Sequence, residues 1–95
     1  MIQTRWVDTL VATLADAGVT TCVVSPGSRS TPLVAALVKD GRLALPTIID
    51  ERSAAFYALG LARATRQPVA LVCTSGSAAA HYLPAIVEAS EAGVP

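Results

Sequence analysis

The sequence predicts an α/β fold: a parallel sheet with helices on both faces. Short apolar or β-branched runs, "VTTCVV" (19–24), "LALPTIID" (43–50) and "VALVCTS" (69–75), alternate with longer segments of helical period. The runs are brief and lack a polar face, as strands buried in a parallel sheet do. No repeat, linker or low-complexity segment interrupts the order helix, strand, helix, strand, helix, strand, helix. Such an order is built with right-handed crossovers.

Residues 4 to 17, "TRWVDTLVATLADA", place Trp6, Val7, Leu10, Val11 and Leu14 at helical spacing, and Gly18 stops the helix. The first strand, 19–24, follows at once. From Thr31 to Lys39, "TPLVAALVK" predicts a helix capped by Thr31, with Pro32 at the first helical position, where its missing N–H costs nothing. Gly41 ends it. The second strand, 43–50, contains Pro46, which confines regular pairing to its second half. "DERSAAFYALGLARATR" (50–66) is an Ala-rich helix with Ala55, Leu59 and Ala62 on one face, Phe56 beside them, and Asp50 or Ser53 as its cap. Gly60 within it predicts close packing against another element. The third strand, 69–75, leads into "GSAAAHYLPAIVEASEAG" (76–93), a helix that Pro84 can kink. Val94 and Pro95 read as the approach to a further strand, so the sheet is expected to be incomplete at residue 95.

Seven Lys and Arg balance seven Asp and Glu. That balance leaves no electrostatic footprint for nucleic acid or an anionic membrane. The apolar runs are short, and "MIQTRWVDTL" lacks the basic-then-apolar layout of a secretory leader, so a cytoplasmic protein without membrane insertion is expected. Cys22 and Cys73 have no CxxC or Cys/His spacing and read as free thiols packed as small hydrophobes. Hydrophobic residues make up 53% of the 95, more than a lone domain comfortably covers when it hides only about two thirds of its unfolded surface. The excess predicts missing neighbours.

Ligands of an open parallel sheet bind beyond the carboxyl ends of the strands. Three polar loops fall there: "SPGSRST" (25–31), "DERS" (50–53) and "TSGSA" (74–78). Each leads into a helix whose first N–H groups are free. In the first loop, Gly27 lets the backbone approach a ligand, Arg29 can grip a carboxylate or phosphate, and Ser28 adds a hydroxyl; equally, Ser and Thr can simply cap the helix with Arg29 in solvent. It is no P-loop, for the lysine of GxxxxGK[ST] is missing. Glu51 is either a hydrogen-bond partner or proton acceptor in a partly dry cleft, or a first-turn carboxylate satisfying the helix dipole. Arg52 beside it is a surface charge or a salt-bridge partner. Thr74, Ser75 and Ser77 surround Gly76 in a turn that can reach a ligand or merely cap a helix, and no nucleophile elbow is present. His81 reads as a half-buried helix residue.

In this order "SPGSRSTPL", "DERSAAFYALGLA" and "CTSGSAAAHYLPAIVEA" resemble the start of the 2-succinyl-5-enolpyruvyl-6-hydroxy-3-cyclohexene-1-carboxylate synthase family, the MenD-type thiamine diphosphate enzymes of menaquinone biosynthesis. "SPGSRSTPL" is the specific part; the other two are shared more loosely across thiamine diphosphate enzymes. The resemblance implies that residues 1–95 are the N-terminal part of a pyrimidine-binding domain, truncated, without the central and diphosphate-binding domains. It implies that Glu51 is catalytic and hydrogen-bonds the aminopyrimidine ring of thiamine diphosphate, promoting its iminopyrimidine tautomer. Ser28 and Arg29 would contact isochorismate, and Thr74, Ser75, Gly76 and Ser77 would lie near the cofactor across a subunit interface.

The family decarboxylates 2-oxoglutarate and adds the succinic semialdehyde unit to isochorismate, releasing CO2, which makes it a carboligase-type transferase. Mg2+ and the diphosphate would be held by a Gly-Asp-Gly motif in a later domain, so the isolated 95 residues are expected to be inactive. A homodimer or dimer of dimers is implied, with the apolar excess at its interface. Ser77 stands where the family commonly has Thr and keeps a hydroxyl; His81 stands where Asn is common, and no role is carried to it. Two other readings stay open: a non-catalytic α/β anion-binding or interaction domain, and another thiamine diphosphate enzyme of decarboxylase or acetohydroxyacid synthase type.

Overall fold

The computed structural model describes residues 2–95, with side chains from residue 4 onward. Helix α1 (Ile2–Asp16) leads to strand β1 (Cys22–Val24), a 3₁₀ turn (Ser28–Ser30) and α2 (Thr31–Asp40). Then come α3 (Glu51–Thr65), strand β2 (Ala70–Val72), a second 3₁₀ turn (Ala78–Tyr82) and α4 (Leu83–Ala92). The strands pair in parallel, with Cys22 opposite Ala70, Val23 opposite Leu71 and Val24 opposite Val72. This is the α/β arrangement that the alternating pattern predicts.

Side chains alternate across a strand, so β1 feeds two cores. Cys22 and Val24, with Val72 of β2, pack against Val11 of α1 and Ala36 and Leu37 of α2. Val23 faces the other way, onto Ala54 and Ala58 of α3. On that same side Ala55 meets Tyr82 and Ala85 over Leu71 and Cys73. Helices therefore cover both faces, α1 with α2 on one and α3 with α4 on the other. Among the described residues no helix is long and apolar enough to cross a membrane.

The segment 43–50 flanks β1 on the side away from β2, yet it forms no regular strand. Ala44 N donates to Thr20 O and Ile48 N to Val24 O, both at 2.9 Å. The donor between them in that ladder would belong to Pro46, which has no N–H. Its carbonyl still accepts from Val24 N at 2.9 Å. What remains is a pair of isolated parallel bridges, Thr21 with Ala44 and Val24 with Thr47. Pairing thus runs on both sides of Pro46, not only beyond it as the sequence suggested.

Other local expectations shift by small amounts, each for an identifiable reason. The N-cap of α2 is Ser30 rather than Thr31, because the preceding 3₁₀ turn delivers the chain one residue earlier; Pro32 then sits in the first turn, one position on from the start. Pro84 likewise opens α4 instead of kinking a longer helix, since residues 78–82 wind as 3₁₀. Asp50 is the cap of α3, its Oδ2 accepting from Ser53 N at 2.8 Å. Gly41 ends α2 in the left-handed region at φ 77°. Gly60 is exposed with no neighbouring heavy atom near its Cα face, so the expected close packing is absent. In α1 the inward stripe is Val7, Val11 and Ala15, while Trp6 is 67% exposed.

Pro46→Val restores an N–H opposite Cys22 O. Hydrogen exchange should then find a protected amide at residue 46 and a continuous strand. A freely exchanging amide there would contradict the assignment of the broken ladder to proline.

Candidate functional site

All three polar loops leave the same edge of the sheet, and Ser25 is what ties them together. It is fully buried at the carboxyl end of β1. Its N–H donates to Val72 O at 2.9 Å, and its Oγ donates to Ile48 O at 2.8 Å. One residue thereby joins the ends of β1, β2 and the bridged segment, and each end opens one loop. The sequence offered Ser25 only as the first letter of a polar loop. Its signal is a serine placed directly between a β-branched run and a proline, where the strand must end with its hydroxyl still inside.

Gly27 brings the first and third loops into contact. Its φ of −178° and ψ of 149° are extended values open to any residue, so conformation does not require glycine. Space does: a Cβ there would lie 2.2 Å from Thr74 Cβ and 2.7 Å from Thr74 Oγ1. The space on the Cβ side of Gly27 is taken by Thr74, while Gly27 still lines an open cleft. Thr74 is half-buried by this contact, whereas Ser75, Gly76 and Ser77 are exposed. Gly76 makes the turn at φ +73°, a left-handed conformation that glycine adopts without strain.

Glu51 is the first residue of α3 and is half-buried. Asp50 holds the start of the helix, and the Ser53 N–H, followed by the Ser53 side chain, keeps the Asp50 carboxyl below its ordinary range. Glu51 therefore projects from a capped helix end beside a strand edge. Arg52, expected as a surface charge or ion-pair partner, lies over the Phe56 ring with its guanidinium carbon 5.9 Å from the centroid. His81 is exposed rather than half-buried.

Ser28 and Arg29 occupy the 3₁₀ turn and are both exposed. Arg29 makes no ion pair or side-chain hydrogen bond among the described residues, which leaves its fork free for an anion. Ser28 lines an open cleft of about 650 Å³ shared with Val24, Pro26, Gly27, Thr31 and Thr47. The turn is anchored from below by Ser30 Oγ, which donates to Gly27 O at 2.9 Å.

The two cysteines sit on opposite faces of the sheet. Both are free, and burial pushes the Cys22 thiol up to about 11, so it stays protonated and inert. Tyr82, also missed in the sequence, is only 7% exposed, and its hydroxyl has no hydrogen-bond partner among the described residues.

Residues 4–95 match the family described as "Thiamine pyrophosphate enzyme, N-terminal TPP binding domain". The chain belongs to this family. It is 64% identical over 86 residues to the 2-succinyl-5-enolpyruvyl-6-hydroxy-3-cyclohexene-1-carboxylate synthase of Geobacillus kaustophilus, covering 90% of this chain and 15% of the relative. The synthases of the same name from Lysinibacillus sphaericus and Thermobifida fusca are 59% identical over 92 residues and 61% identical over 85. These alignments cover 97% and 90% of this chain but only 16% and 15% of the relatives.

Gly27→Ala should lower stability by about 1–3 kcal/mol, the usual cost of overpacking, and Thr74→Gly in the same chain should recover part of the loss. Denaturant midpoints of the two variants test this. A neutral Gly27→Ala would show that the loops are not in contact.

Proposed function

We propose that this member of the thiamine pyrophosphate enzyme family forms the cofactor-activating side of a 2-succinyl-5-enolpyruvyl-6-hydroxy-3-cyclohexene-1-carboxylate synthase. The observation that supports it is the placement of Glu51: a half-buried carboxylate on a capped helix end, beside a strand edge clasped by Ser25. An acceptor held that firmly, and only partly wet, suits the edge of an aminopyrimidine ring. Thiamine diphosphate supplies, when bound, the carbanion chemistry that side chains lack.

The Glu51 carboxylate would hydrogen-bond the aminopyrimidine ring of the bound cofactor and hold a proton there. Thr74, Ser75, Gly76 and Ser77 would border the cofactor from the neighbouring loop. Arg29 binds a carboxylate of isochorismate through two parallel N–H bonds, and Ser28 donates from the wall of the adjoining cleft. In the reaction 2-oxoglutarate loses a carboxylate as CO2, and the remaining succinic semialdehyde unit forms a carbon–carbon bond to isochorismate. This is a transferase step of menaquinone biosynthesis.

Residues 1–95 are the N-terminal part of the pyrimidine-binding domain in this proposal, and a domain outside them holds the diphosphate and Mg2+. Among the described residues no group of three or more His, Cys, Asp or Glu could hold a metal ion. Exposed apolar side chains support assembly as a homodimer or dimer of dimers: Ile49 is 83% exposed, and Phe56, Tyr57, Leu83, Ile86 and Val87 are also open to solvent. The site is completed across that interface, the protein works in the cytoplasm, and the 95 residues alone do not turn over substrate.

Glu51→Gln in a full-length protein carrying this sequence should lower turnover by at least about 100-fold, the scale of a lost proton-transfer group, with an unchanged circular dichroism spectrum. Turnover close to the parent's would remove Glu51 from the chemistry and favour an anion-binding domain.

A further inference from the structure

We infer that Ile49 is a cofactor-binding residue, its side chain taking the apolar face of the aminopyrimidine ring while Glu51 takes the polar edge. The inference rests on the role proposed for Glu51. Asp50, which separates the two, is extended at φ −82° and ψ 122°. Side chains alternate along extended backbone, so Ile49 and Glu51 project to the same side. Ile48 points the other way, into the core of Val23, Ala54 and Ala58.

Ile49 is 83% exposed, and among the described residues no large apolar side chain is more so. A single exposed apolar residue is ordinary, but this one is held out on a fixed backbone. Ile48 N donates to Val24 O at 2.9 Å, and Ile48 O accepts from Ser25 Oγ at 2.8 Å. On the other side Asp50 caps α3 by accepting from Ser53 N at 2.8 Å. With both neighbours tied, the chain cannot turn Ile49 inward. Phe56 and Tyr57 are carried by α3, and Leu83, Ile86 and Val87 by α4, whereas Ile49 is carried by the sheet edge next to the carboxylate. A small-molecule site joins apolar walls to a few placed polar groups, and an aminopyrimidine has an apolar face and a polar edge. A β-branched side chain is stiff, so little rotamer freedom is lost when a ring covers it.

The test uses Ile49→Ala and Ile49→Val in a full-length protein carrying this sequence, with the Kd of thiamine diphosphate measured by calorimetry at saturating Mg2+. Ile49→Ala should raise Kd about tenfold and Ile49→Val about twofold, since each removed carbon is only partly covered by a ring face. Inorganic pyrophosphate, which has no ring, should bind both variants as it binds the parent, and the cofactor-free Tm should stay in place. A thiamine diphosphate Kd equal in the parent and Ile49→Ala would overturn the inference. So would a raised Kd that tracks dissociation of the oligomer in sedimentation velocity, which would make Ile49 a subunit contact. A parent protein that binds no thiamine diphosphate would remove the proposed function itself, whereas a parent that binds it with Ile49→Ala unaltered would remove this inference alone.

Discussion

The hydrogen bonds of Ser25 are the constraint on which the rest of the edge depends. A strand buried between two others must satisfy both sides of its backbone, and β1 does so up to its last residue. At Ser25 the backbone serves β2 and the side chain serves the bridged segment, because Pro26 prevents the chain from continuing as strand. A serine is small enough to lie fully buried there and polar enough to replace a ladder bond. The three loops consequently start from one line instead of fanning apart.

Everything that could carry chemistry is built outward from that line. Gly27 brings its loop against Thr74, Asp50 fixes the first turn of α3, and Ser30 tethers the turn that exposes Ser28 and Arg29. The opposite edge of the sheet is organised differently. There Arg42 bridges Asp40 and Asp16 at the ends of α2 and α1, at 2.8 and 2.7 Å. Arg42 and Asp16 are exposed and Asp40 half-buried, and pairs so near the surface add little to stability, although the Arg42 hydrogen bond keeps the Asp40 carboxyl low.

Architecture was legible in the sequence because it follows from periodicity: the alternation of short apolar runs with helical stripes, and Gly41 and Asp50 at helix ends, all read correctly. The motifs that carry the family resemblance also lay in plain view. What stayed hidden depends on contacts between distant residues. Gly27 announces a tight approach, but only the fold reveals that Thr74 is what approaches. Pro46 announces a broken strand, yet bonds persist on both sides of it because only one donor is lost. Ser25 and Tyr82 look like an ordinary loop residue and an ordinary core aromatic until their hydroxyls are traced, one to a carbonyl and one to no partner among the described residues.

Ser25 clasps the ends of β1, β2 and the bridged segment, and Glu51 follows two residues after Ile49 at the end of that segment. The most direct test is residue-resolved hydrogen exchange of Ser25→Ala against the parent protein. Loss of protection is expected at residues 25–31 and 48–54, where the Ser25 Oγ bond to Ile48 O is removed, with residues 73–78, tied by the Ser25 N–H that alanine keeps, and the helical amides of α1 and the second half of α2 unchanged. Protection at residues 25–31 and 48–54 equal to the parent's would contradict the clasp.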